Sequence, residues 1–308
     1  MHLILQYCLF AFAIFILPPS LLGLIRKVKA RLQNRTGAPI WQPILDLAKL
    51  LQKRETVSNT ASWVFRFAAA TNASLALYLA VVLPWISPRP YAGPCDLFMV
   101  IYILAAMRFF TILAAMDTGS AFGAFAASRE ATLSFLVEPA AVLSLAALAI
   151  PSQSSDLIVI FSNSVDHYPA LWLLSGTAFL LASMVELSRM PIDDPTTHLE
   201  LTMVHEAMIL EASAGNLALF EFANAVKLAV LFGLTSQCYL HALLNLGTVS
   251  PFANVCLSLG SLLAVAAGVG AFESVAVKLY WRKAPEFIAY ALTLALLACI
   301  VTLGASLK

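Results

Sequence analysis

Several ionisable side chains interrupt stretches that are otherwise apolar, among them Arg108, Glu138, Glu186, Glu221, Lys227 and Glu273. A charge near the centre of a bilayer costs about 2.5 kcal/mol or more, so such side chains face a protein interior or a water cavity. Carboxyls desolvated in such places can hold protons near neutral pH and pass them along. Two readings follow. In the first, these groups form a half-channel open to one side of the membrane, with Glu138 and Lys227 roughly 10 to 15 Å inside that face and Glu186, Glu221 and Glu273 shallower. In the second, the acids pair with Arg108, Lys227 and one another only so that helices can pack. Convergence of the side chains decides between them.

Two further groups lie between the apolar stretches. The run MDTGSAFGAFAASRE carries Asp117, Arg129 and Glu130, with Gly119 and Gly123 allowing a tight re-entry. A lone DTG without a second copy or β-context is no aspartic protease. The run MPIDDPTTHLELTMVHEAMILEASAGN carries Asp193, Asp194, Glu200, Glu206 and Glu211. Pro191 and Pro195 end the preceding helix, Asp194 or Thr196 can cap a new one, and 197–210 is apolar enough to lie as a helix. On that helix His198, Thr202 and His205 share a face, but a seven-residue gap sets the two histidines about 10 Å apart, too far to share one ion unaided. The five cysteines are scattered singly, without the close spacing of a zinc, iron–sulfur or redox motif. No metal site is expected in this chain.

The elements that must position these residues are membrane helices. The chain of 308 residues is 61% hydrophobic and 11% charged, with a mean hydropathy of +0.86, whereas a soluble domain carries about 25% charged residues. Apolar stretches near the roughly 20 residues that cross a hydrocarbon core fall at 3–24, 64–87, 96–116, 131–150, 169–188, 217–243, 252–277 and 286–306. Each must be helical, since lipid offers backbone groups no partner and the strand-like alternation of a barrel is missing. The expected fold is all-α: one membrane domain of about eight spans over 1–308. The first stretch is too long for a signal peptide and has no basic n-region, so it is read as a retained span.

Orientation follows from basic residues in short loops. Thirteen Lys and Arg fall in the segments 25–63, 117–130, 189–216 and 278–285, against Arg89 and Lys308 on the other side, so these four loops are expected in the cytoplasm. Within the first, Ile44, Leu47, Leu50 and Leu51 recur at helical spacing with Asp46, Lys49, Lys53 and Arg54 opposite, the pattern of an interfacial amphipathic helix. It suits anionic lipid headgroups and a docking surface equally. With a net charge of +1 and no aromatic-interleaved basic patch, nucleic acid is set aside as a partner.

Three ordered segments, ARLQNRTGAPIWQPILDLAKLLQKR, DTGSAFGAFAASREATLSFLVEP and ELSRMPIDDPTTHLELTMVHEAMILE, resemble the membrane subunit shared by respiratory complex I (its quinone-chamber subunit) and group 4 nickel–iron hydrogenases, including formate hydrogenlyase. The likeness runs over nearly the whole chain and looks closer to the hydrogenase branch. It implies a non-catalytic subunit of an oxidoreductase complex in a bacterial or archaeal plasma membrane. Such a subunit anchors a peripheral arm of large and small subunits and links redox chemistry to proton or sodium pumping in antiporter-like neighbours. By position, Arg31, Arg35, Asp46 and Lys49 would dock the arm. Asp117, Arg129, Glu130 and Glu138 would line the inner cavity, and Asp193, Asp194, Glu200, Glu206 and Glu211 would lie beneath the arm's terminal cluster. Iron–sulfur clusters and nickel–iron would belong to partners, and a quinone is left open. Where the family commonly has Arg-Gly-Pro, this chain reads Arg35, Thr36, Gly37, Ala38, Pro39. The rival classes are a quinone-binding subunit, marked by an apolar tunnel near Ala48 to Leu51, and a free-standing transporter, which would show inverted repeats.

Overall fold

Apolar runs bounded by capping residues give eleven α-helices in a computed structural model that describes residues 2–58, 60–86, 93, 95–162, 168–193, 203–244 and 250–306. In order they are α1 (His2–Leu32), α2 (Gln42–Gln52), α3 (Trp63–Val82), α4 (Leu97–Asp117), α5 (Ala121–Ser152), α6 (Leu157–Ser162), α7 (Pro169–Glu186), α8 (His205–Met208), α9 (Ala214–Leu243), α10 (Pro251–Val275) and α11 (Ala284–Ser306). Eight of them, α1, α3, α4, α5, α7, α9, α10 and α11, are long and apolar enough to cross a membrane, and the described residues contain no strand. The all-α, eight-span expectation holds.

Local chemistry sets the starts. Ser62, Asp96 and Ser250 each accept a backbone N–H from the first turn of the following helix, and Pro43, Pro169 and Pro251 occupy first-turn positions where no donor is needed. Several boundaries differ from expectation. The first helix continues to Leu32, so Arg26, Lys27, Lys29 and Arg31 ride on its last turns instead of in a loop. The re-entrant loop expected over 117–130 is a turn of three residues: Gly119, at φ +67°, reverses the chain and α5 begins at Ala121. Alanine-rich sequence continues that helix for 32 residues, and at about 1.5 Å per residue it is longer than a hydrocarbon core is thick. Arg129 and Glu130 are therefore helical. Of the helix expected over 197–210, only the four residues of α8 form; 194–202 lie outside the described residues.

The hub is α9, 72% buried along its apolar stretch and packed against α1, α2, α3, α7 and α10. On one side α3 packs on α4 and α4 on α5; on another α5, α7 and α11 form a trio, and α1 pairs with α10. The bundle has one end rich in basic residues, where α1, α4, α7 and α10 finish and α3, α5, α9 and α11 start. The short helices α2 and α8 lie at this end, α2 against α1 and α9, α8 against α4 and α5. The connection from α1 to α2 is fixed tightly: a Cβ on Gly23 would sit 1.8 Å from the Ile40 carbonyl oxygen, and Lys27 Nζ donates to the Gly37 carbonyl at 2.8 Å.

Candidate functional site

Four helices bring four charged side chains together where α7 ends, with a fifth close by. Arg108 of α4 is buried, and its guanidinium meets two carboxylates: Nη2 donates to Glu138 Oε1 of α5, and Nη1 lies 3.2 Å from Glu186 Oε2 of α7. Lys227 of α9 closes the chain, with Nζ 2.6 Å from Glu186 Oε1 and donating to the Glu186 backbone carbonyl at 3.0 Å. Burying charge is tolerable only in this mutually compensated form. The fifth group, Glu130 of α5, is buried with the Ser188 hydroxyl donating to its Oε2 at 3.4 Å. Two cations thus face three carboxyls, and Glu130 has no cation paired to it among the described residues.

Small cavities flank this network. One of about 30 Å³ is lined by Asn72, Arg108, Thr111, Glu130, Glu186, His205 and Lys227. Asn72 Nδ2 donates to Thr111 Oγ1 at 2.6 Å, which fixes the polar wall on the α3–α4 side. A second, also about 30 Å³, runs between Arg108, Glu138 and Glu186 on an apolar wall of Val137, Phe179 and Leu231. Its outer limit is Glu138, whose side chain is 43% exposed on the outside of the bundle although it lies deep in α5.

A larger cavity of about 180 Å³ lies between α1, α2 and α9. Pro19, Leu22, Pro43, Leu47, Leu50, Leu217 and Ala225 supply an apolar wall, and Arg26, Asp46 and Glu221 supply charge. Gln42 Nε2 donates to Asp46 Oδ1 at 2.8 Å and holds that carboxylate in place. The cavity exceeds the roughly 150 Å³ that accommodates a benzene ring. Neighbouring residues of α8 face the two sites: His205 lines the small cavity of the charge network, and Glu206 feels Glu221 and Arg26 of the larger one. Burial lifts the Glu206 carboxyl from its ordinary 4.5 to about 7, the Glu221 carboxylate adding to the rise and Arg26 opposing it. Burial pushes the neighbouring His205 down from 6.5 to about 4, helped by Lys227 and opposed by Asp193.

The remaining sequence candidates divide. Glu221 does not pair with Lys227 but faces the α2 cavity; six residues separate the two, which puts them about 120° apart around α9. Glu273 does not join the network either: it forms a closed, buried pair with Arg189, at 2.5 Å to Nε and 3.1 Å to Nη2. Asp117 is a structural cap, accepting from Ser62 N, Ser62 Oγ and Phe65 N at the start of α3, rather than a cavity wall. Arg129 stacks its guanidinium over the Phe125 ring, 4.0 Å from the centroid, with Trp281 at 5.3 Å. Asp193 is a buried staple, accepting from Lys278 Nζ and from Val204 N at 2.8 Å each. Glu211 is exposed beyond α8, and Asp194 and Glu200 lie outside the described residues. Arg31, Arg35 and Lys49 are exposed at the basic end, whereas Asp46 turns into the cavity and Leu51, expected on the apolar face of α2, is 66% exposed. Sequence reasoning missed His205, Arg26, Asn72 and Ser188 as members of these sites.

Comparison with known proteins matches residues 4–303 to the family described as NADH dehydrogenase. Over 234 residues the chain is 35% identical to Hydrogenase-4 component C of Escherichia coli K12, covering 75% of this chain and 73% of that one. It is 32% identical to Formate hydrogenlyase subunit 4 of the same organism, covering 72% of each. It is 28% identical to a subunit of the NADH-quinone oxidoreductase of Syntrophobacter fumaroxidans, covering 71% of each. A chain in the structure of the membrane-bound sulfane sulfur reductase, an archaeal respiratory membrane complex, superposes with a TM-score of 0.84 at 17% identity, covering 98% of this chain and 100% of that one.

Proposed function

The chain belongs to the NADH dehydrogenase family, and from that premise we propose that it is the non-catalytic coupling subunit of an energy-converting, formate hydrogenlyase-type hydrogenase complex. In this reading the basic end lies in the cytoplasm of a bacterial or archaeal cell. It docks hydrogenase-like large and small subunits, whose iron–sulfur clusters and nickel–iron carry the redox chemistry. The chain itself binds none of these groups. Its contribution is to convert a charge change in the arm into proton or sodium movement in antiporter-like membrane neighbours.

The observation that carries the reading is the network from Lys227 through Glu186 and Arg108 to Glu138, with Glu130 lining the same cavity as Lys227. It begins beside the loop end and reaches the outer surface of the bundle at a carboxylate that is 43% exposed. A half-exposed acid deep in a membrane helix is costly against lipid, so a neighbouring membrane subunit with a polar or basic contact suits that surface. Charge in the arm can act on such groups at a distance. A unit charge appearing about 10 Å from a carboxyl, at an effective dielectric of about 20, shifts its proton affinity by about 1.7 kcal/mol, or more than tenfold. Glu206, held at about 7, would change its protonation markedly under such a field. The test is Glu138→Gln in the assembled complex, reconstituted in vesicles. Ion transport should be lost while the complex still assembles; transport at the parental rate overturns the role.

A second reading draws on the α2 cavity, which is large enough for a six-membered ring and offers Arg26, Asp46 and Glu221 to carbonyl or hydroxyl groups. It makes the chain a quinone-binding subunit of an NADH dehydrogenase-like complex. Filling the cavity with Leu47→Trp should then abolish quinone-dependent turnover, and a complex that never reduces quinone removes this reading.

A further inference from the structure

His205 has one unusual property: the residue as a whole is partly exposed, yet its ring Nε2 is sealed from solvent and has no hydrogen-bond partner among the described residues. Leaving a buried imidazole nitrogen unmatched costs about 1–3 kcal/mol, and such atoms in folded proteins are ordinarily satisfied, by water where protein offers nothing. Water fits here. The residue lines the cavity of about 30 Å³ whose polar walls include Asn72, Arg108, Glu130, Glu186, Asn224 and Lys227. That volume exceeds the roughly 10–15 Å³ a cavity needs to hold a water, and the walls supply the two to four polar partners such a water needs.

The position of α8 gives this site a direction. It packs on α4 and α5, so His205 faces Glu130 and Lys227, whereas the adjacent Glu206 feels Glu221 and Arg26 of the α2 cavity. A neutral imidazole both accepts and donates a proton, which makes it suited to a relay between a wet side and a sealed one.

Resting on the coupling role above, we propose that this cavity binds a single water molecule against His205 Nε2. His205 and that water then carry protons between the loop end and the Glu130 side of the charge network. His205 acts through the water and is a relay residue, not a redox one. Burial, with Lys227 adding to it, holds the His205 pKa near 4, so the imidazole stays neutral and keeps the lone pair that the relay needs.

The assembled complex in sealed vesicles tests this, with proton uptake read per redox turnover. His205→Phe, which keeps a ring but no nitrogen, should lower uptake per turnover by about 100-fold, the scale of a lost proton-transfer group. His205→Gly should recover uptake when imidazole is added. Parental uptake in His205→Phe, with uptake lost in Glu130→Gln, overturns the relay and leaves the coupling role standing. Parental uptake in Glu130→Gln overturns both. A map of the unaltered complex that resolves ordered water gives a measurement independent of variants. Density within hydrogen-bonding reach of Nε2 supports the site, and its absence overturns it.

Discussion

Replacing Glu206 by Gln should stabilise the chain at alkaline pH and make little difference near pH 4.5. The folded carboxyl binds its proton until about pH 7, whereas in the unfolded chain it does so only to about 4.5. Between those values the folded state holds more protons than the unfolded one, so stability falls as pH rises, and above 7 the loss is complete. The full penalty is about 3 kcal/mol. His205 works in the opposite sense: folded near 4 and unfolded near 6.5, it removes stability as pH falls through that window, by about 2 kcal/mol at pH 5. In the parent the two slopes oppose each other between about 4.5 and 6.5, which hides both. The assay is the denaturation midpoint of the detergent-solubilised complex from pH 4.5 to 8.5, read as variant minus parent. For Glu206→Gln the difference should grow toward high pH and level off above 7. For His205→Gln the variant should gain on the parent as pH drops below 6.5. A difference that is flat with pH for either variant refutes the burial argument for that residue.

Arg189→Met should cost about 3–5 kcal/mol because it strands Glu273 in a buried position, and adding Glu273→Leu should recover most of that loss. The double variant should also transport ions normally, since this pair stands apart from the network at Arg108; loss of transport with assembly intact would restore Glu273 to the pathway. Gly23→Ala should destabilise by about 1–3 kcal/mol or more as the Ile40 carbonyl is forced away, and limited proteolysis should find the 33–41 segment newly cleavable. Parental resistance to protease would contradict the tight approach of α1 to that segment.

The number of spans and the presence of α2 could be read from the sequence because lipid leaves the backbone only one solution, and because Leu47 and Leu50 recur at a spacing that strands do not use. Helix ends were less accessible. Residues 121–130 read as a loop because Gly123, Ser128, Arg129 and Glu130 lower their hydropathy, yet alanines hold them helical and Gly123 is there so that α5 can pass the Ala115 carbonyl. Rotational setting was hidden for a different reason. Which acid meets which cation depends on the angle at which each helix presents itself, and Arg189 reaches Glu273 across 84 residues of chain. Glu221 and Lys227 are an exception, since a six-residue gap on one helix already places them on different faces. For Asp117, a carboxylate just before a helical turn carried no mark separating a cavity wall from a cap; only Ser62 and Phe65, brought alongside by α3, made it a cap.

The separation of the acids into two groups, rather than one half-channel, changes what coupling requires. Glu221, Asp46 and Arg26 sit around the larger cavity, and Glu130, Glu186 and Glu138 sit with Arg108 and Lys227 across α9. Among the described residues the ion pairs of the Arg108 network stay within it, while the neighbours His205 and Glu206 each feel one group, His205 through Lys227 and Glu206 through Glu221 and Arg26. These two sit on a helix of four residues held by Asp193, whose carboxylate accepts from Val204 N and from Lys278 Nζ. Asp193→Asn keeps the shape but removes the charge that holds Lys278. If α8 links the two groups, this variant should weaken transport while the Arg108 network stays intact, because the linking residues lose their fixed position. Transport unchanged in Asp193→Asn would mean that the link runs elsewhere, and the two cavities would then have to be treated as independent sites.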